Sequence, residues 1–108
     1  MDITYELLQK VKVNLILEHH EDDRLISGYI RAAVDYAESR QNKPRGYYSR
    51  RKSRMPPATE QAVIMLASHF YESRDGSTGG FFADNTGAAA QVYAAVDRLL
   101  APGKDWVV

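Results

Sequence analysis

Pro57-Ala58-Thr59-Glu60-Gln61-Ala62-Val63-Ile64-Met65-Leu66-Ala67-Ser68-His69-Phe70-Tyr71-Glu72-Ser73-Arg74 is the stretch that decides the fold. Proline is tolerated in the first turn of a helix, where its missing N–H has no partner to lose. The spacing that follows predicts a helix to about Arg74. Its middle, Ala62 to Ala67, is apolar on nearly every side, and Phe70 and Tyr71 continue it. A helix that is apolar all round must be covered all round. In a chain of 108 residues the cover comes from other helices or from neighbouring subunits.

Working outward, three further helices are expected. Thr4 to about Leu15 places Leu7, Leu8, Val11 and Leu15 at helical spacing, with Thr4 as cap and Glu6 in the first turn. The alternation from Val11 to Leu17 leaves a short strand open near its end. Arg24 to about Gln41, capped by Asp22 or Asp23, carries the stripe Leu25, Ile26, Tyr29, Ile30, Ala33, Tyr36 and Ala37. Gly28 in its middle suggests either a close helix crossing or plain solvent exposure. Ala88 to about Leu100 aligns Val92, Val96, Leu99 and Leu100 before Pro102-Gly103 ends it. The fold class expected is all-α: one domain over residues 1–108, a small bundle of about four helices.

Two long connections separate these helices. Residues 42–56 contain Pro44, Gly46 and Pro56 and no periodicity, so an extended loop is expected. Residues 75–87 hold four glycines and Phe81-Phe82. Loops of this length in a small domain are uncommon and usually functional or disordered.

Equal totals of 14 Lys+Arg and 14 Asp+Glu conceal a polarity. Arg40, Lys43, Arg45, Arg50, Arg51, Lys52 and Arg54 fall in 15 positions with no acid among them. The remaining residues carry seven bases and 14 acids, a net of −7. Such a segment can bind phosphates or the acidic surface of a protein. Arg45, Arg50, Arg51, Lys52 and Arg54 are the expected contacts, and Tyr47 and Tyr48 between them could stack on bases. Nothing resembles a pair of DNA-reading helices, so sequence-specific readout is not expected.

Other chemistries are weakly signalled. No cysteine is present, which excludes disulfides and thiolate metal sites. His19 and His20 adjoin Glu18, Glu21, Asp22 and Asp23, but adjacent residues diverge and no second His follows at ligand spacing, so a solvated acidic turn is expected and no metal. His69 reads as a hydrogen-bonded core or interface histidine. Gly76 to Gly80 lacks the lysine of a phosphate loop and follows a helix. No nucleophile–base arrangement stands out, so no catalytic residue, cofactor or enzyme activity is expected. The N-terminus is acidic without an apolar run, unlike a secretory signal, and no run approaches a membrane span. Phe81, Phe82 and Trp106 are expected as apolar docking contacts, and Tyr29, Leu66 and Phe70 as core.

Three segments together resemble a known family. One is the acidic turn Asp22-Asp23 followed by Leu25-Ile26, Ile30, Ala32-Ala33, Tyr36 and Glu38. The second, and most specific, is the central helix ending His69-Phe70-Tyr71-Glu72-Ser73-Arg74. The third is Val96-Asp97-Arg98-Leu99-Leu100-Ala101-Pro102. The pattern resembles the small head–tail connector (adaptor, head-completion) proteins of long-tailed bacteriophages. The two loops depart from it: both are longer than in relatives, and the first is more basic. The resemblance implies a non-enzymatic subunit, assembling into a ring of about a dozen copies. Its partners would be the portal, a downstream tail-joining protein and the genomic DNA passing through without sequence preference. It also implies a place at the head–tail junction of the virion, reached from the host cytoplasm. The alternative from the residues alone is a small helical nucleic-acid-binding module with a basic clamp.

Overall fold

The computed structural model describes residues 3–50, 55–73 and 86–104. Four long helices are present: α1 (Ile3–Leu15), α2 (Asp23–Arg40), α4 (Pro57–Ser73) and α5 (Thr86–Leu100). A single turn, α3 (Tyr47–Arg50), precedes α4, and a 3-10 turn (Ala101–Gly103) follows α5. Among the described residues there is no strand.

α4 is the centre, packed against α1, α2 and α5. Ala62, Val63, Ile64, Leu66, Ala67 and Tyr71 are buried on it. Around it lie Leu7, Leu8 and Val11 of α1, Ile26, Ile30, Ala33, Val34 and Ala37 of α2, and Val96 and Leu100 of α5. The three partner helices of the same chain therefore cover α4 without help from a neighbour, leaving only Met65 and Phe70 half-buried among its large apolar residues. Leu66 is core as expected. Tyr29 and Phe70 are not: they pack on each other at the margin, ring centroids 6.0 Å apart, half-buried. Leu25, expected on the buried stripe, is 40% exposed. It lies one position from fully buried Ile26 on the α2 helix, and that 100° step turns it outward.

Several helix ends differ from expectation. α1 begins at Ile3, so Thr4 lies inside the helix and is buried. Asp22 stands at the N-cap of α2 but makes no capping bond; its carboxylate accepts the Tyr71 hydroxyl of α4 at 2.5 Å. Gly28 is exposed, and a methyl added there would meet nothing within 4 Å, so it marks no helix crossing.

The strand alternative for residues 11–17 is overturned by the end of α1. Leu17 N–H donates to Lys12 O at 2.9 Å and Ile16 N–H to Val13 O at 3.1 Å, the double closure of a Schellman motif. That motif requires a left-handed residue at the position of Ile16, whose φ is 59°. Glycine is usual there, and a β-branched residue pays about 1–2 kcal/mol for the clash of its Cβ with the following carbonyl. Ile16 is 85% exposed, so little burial offsets that cost. Ile16→Gly is expected to raise stability by about 1 kcal/mol, the strain relieved less the entropy of an added glycine, measured by thermal unfolding.

Candidate functional site: an anchored basic segment

α2 closes with a second Schellman motif. Lys43 N–H donates to Glu38 O at 2.8 Å and Asn42 N–H to Ser39 O at 3.2 Å, with Asn42 at φ 60°. Asparagine tolerates this region. The chain then turns through Pro44 and through Gly46, at φ 81°, and Tyr47 N–H donates to Pro44 O at 3.0 Å. The expected extended loop is thus interrupted at its start by the turn α3. The cause is Glu38: its carboxylate, 2% exposed, accepts the backbone N–H groups of Gly46 and Tyr48 at 3.0 Å each. A carboxylate at the first N–H groups of a helical turn supplies the partners that the turn lacks.

Tyr48 is 3% exposed and Met55 4%, so the basic stretch is pinned to the core on both sides. Tyr48 cannot serve as a base-stacking platform. Its hydroxyl donates to Gln41 Oε1, and burial pushes its pKa up. Tyr47 is half-buried, edge-on to Tyr48 at 5.1 Å, and has the Lys43 ammonium 4.9 Å over its ring.

Gln41 is the knot beneath this segment. It is fully buried, and its Nε2 donates to Thr59 Oγ1 of α4 at 2.9 Å and to Leu100 O of α5 at 3.0 Å. One amide thus joins the ends of four helices. The sequence places Glu38 on the face opposite the α2 stripe, an expectation that its burial overturns, and marks Gln41 only as the helix end. The signal was there: Glu38 follows Ile30 and Val34 at steps of four, and Gln41 follows Ala33 and Ala37. Their positions continue the buried stripe, although their chemistry reads as surface.

Of the basic residues, Arg45 is the described member of the expected contact set whose side chain can be placed. It is 88% exposed and 3.8 Å from Asp35, which is also exposed. A screened pair of this kind contributes little. Arg40 reaches Asp97 of α5 at 3.3 Å, and that carboxylate also accepts the Tyr36 hydroxyl at 2.8 Å. Asp35, Glu38, Ser39, Lys43 and Arg45 line an open groove of about 340 Å³ beside the segment. Arg50 ends α3. Its side chain, and the whole of Arg51, Lys52 and Arg54, lie outside the described residues, as do Phe81, Phe82 and Trp106.

The acidic turn works across helices. Lys12, 5% exposed, places its ammonium 2.8 Å from Asp23 Oδ1 and 2.8 Å from His20 Nδ1. The Lys12 hydrogen bond holds the Asp23 carboxyl below its usual range. Among the described residues no three metal-ligating side chains converge. His69 is buried against the rings of Phe70 and Tyr93, and burial pushes its pKa down. No described helix is long and apolar enough to cross a membrane.

Fold and site together define a small all-helical protein in which Glu38, Gln41 and Tyr48 anchor the start of the basic segment. The family model of the phage gp6-like head-tail connector proteins matches residues 5–99, and the chain belongs to that family. Membership carries a connector role in phage assembly. No curated protein and no solved structure matches the chain.

Proposed function

We propose that the chain is the subunit of a non-enzymatic ring at the head–tail junction of the virion. The ring docks beneath the portal, extends the channel for genomic DNA and gives the tail-joining protein its platform. The family match over residues 5–99 carries this reading. The charge polarity supports it, since rings close through heterologous interfaces in which two different surfaces of each copy meet. Arg45, Arg50, Arg51, Lys52 and Arg54 form the charged contact with a neighbour or with DNA, and Phe81, Phe82 and Trp106 dock apolar surfaces of partners. Residues 1–108 act as one domain without cofactor or metal.

The test is imaging of purified particles together with binding to portal-bearing heads. Rings with a central hole that attach to such heads are the expected result. A chain that stays monomeric at high concentration and ignores the heads overturns it. Salt-dependent DNA binding by a monomer, lost on neutralising Arg50, Arg51 and Lys52, would move the chain to the nucleic-acid-binding alternative.

A further inference from the structure

Gln41 stands where two segments of the chain are seated on the core. Both hydrogens of its Nε2 are in use, one on Thr59 Oγ1 at 2.9 Å and one on Leu100 O at 3.0 Å. A carbonyl only accepts. Leu100, the last residue of α5, therefore fixes which way the amide faces, and Oε1 is left to accept the Tyr48 hydroxyl. Thr59 hydrogen-bonds Tyr48 in turn. Three buried side chains thus close a ring of hydrogen bonds with one sense of donation, and bonds in such a ring strengthen one another. The C-terminal turn lies against the same amide. Lys104 N–H closes it on Ala101 O at 3.1 Å. Gly103 comes so near that a methyl on it would lie 2.6 Å from Nε2, 3.2 Å from Cδ and 3.6 Å from Oε1 of Gln41. The seating of Tyr48 sets where the basic segment leaves the core. The seating of Gly103 sets where the C-terminal chain leaves α5.

We infer that Gln41 couples these two segments, so that the start of the basic segment and the C-terminal turn are seated together and released together. The amide has no graded intermediate. Turned over, it sets Oε1 against Leu100 O, acceptor against acceptor, and takes its acceptor away from Tyr48. Displaced sideways, it vacates the space against which Gly103 is packed. A partner that grips one segment is therefore felt at the other, and the effect runs equally in both directions. The consequence for assembly rests on the ring reading above: a neighbour or DNA engaging the basic segment firms the C-terminal turn for the next contact, which gives the joining steps an order.

The experiment perturbs one segment and reads the other in the full chain. Gly103→Ala crowds the amide from the C-terminal side. Limited trypsin digestion, well below the melting temperature, is expected to cut the segment from Arg45 to Arg54 at least about fivefold faster than in the native chain, relative to cutting after Lys10 or Lys12 of α1. A general loss of stability would speed both alike. In a Gln41→Ala background the same substitution is expected to leave that ratio unchanged. Tyr48→Phe removes only the hydroxyl and works from the other side. It and Gly103→Ala are each expected to lower the melting temperature, and the double variant to lose clearly less than the sum, because either change already breaks the bond between Tyr48 and the amide. A Gly103→Ala chain cut in the native pattern, or strictly additive melting losses, overturns the inference. Both readouts concern the single subunit, so neither bears on the ring; particle images without rings overturn the ring reading and leave the coupling standing.

Discussion

Gln41→Ala is expected to destabilise the protein by about 3 kcal/mol, a fall of roughly 12–20 °C in melting temperature. The side chain is fully buried and serves three partners at once: Thr59, the Leu100 carbonyl and the Tyr48 hydroxyl. Its removal leaves these groups inside the protein with a bond missing, and each costs its desolvation. The vacated space adds a cavity cost. Gly103 gives the decisive control. A methyl added there would lie 2.6 Å from Gln41 Nε2 and 3.2 Å from its Cδ, so Gly103→Ala must displace the locked amide. Alone it is expected to cost about 1–2 kcal/mol, the worth of one or two such bonds. Combined with Gln41→Ala it is expected to cost almost nothing, since the methyl enters the space left by the amide. The double-mutant cycle by thermal or denaturant unfolding reads this coupling. Additive losses would show that Gly103 acts on something other than Gln41.

The same residue marks where the sequence was legible and where it was not. Periodicity located all four long helices, to within two residues at most ends, because apolar side chains at steps of three and four are what a buried helix face needs. It also found α4 as the centre. It went wrong where polar residues take buried positions. Glu38 and Gln41 continue the α2 stripe in register, but their side chains suggested the surface and a helix end. Only the backbone of α3 and the ends of α4 and α5 explain why amide and carboxylate are needed inside. Tyr48 was misread for the same reason: among seven bases it looked like an exposed aromatic, yet its place is set by a hydrogen bond to Gln41. Leu25 and Ile16 failed in the other direction, as apolar residues left in water. Of the contact residues read from the charge block, Arg45 is exposed beside the groove, and the side chains of the others lie outside the described residues. The block itself was plain from composition, but the carboxylate that anchors its start was not.

Glu38→Ala is expected to loosen that anchor more than it weakens the whole fold. Two backbone N–H groups, of Gly46 and Tyr48, lose their acceptor. Part of that loss is offset, because a buried carboxylate no longer has to be kept from water. The net cost is expected to be about 2 kcal/mol. It falls locally, on α3 and the seating of Tyr48, since α1, α2, α4 and α5 retain their packing. Limited trypsin digestion reads it directly: the segment from Arg45 to Arg54 offers five cleavage sites, one after each of its bases, and cleavage tracks local opening. A 2 kcal/mol loss corresponds to about a thirtyfold rise in cutting within this segment, at temperatures well below global unfolding. Glu38→Gln keeps one acceptor oxygen and is expected to fall between. The consequence for assembly follows from the proposed role: Glu38→Ala removes no base, yet should weaken whatever contact the basic segment makes, because the charges are no longer presented from a fixed place. Unchanged trypsin sensitivity in Glu38→Ala would mean that Tyr48 and Met55 alone hold the segment, and that the carboxylate is incidental to it.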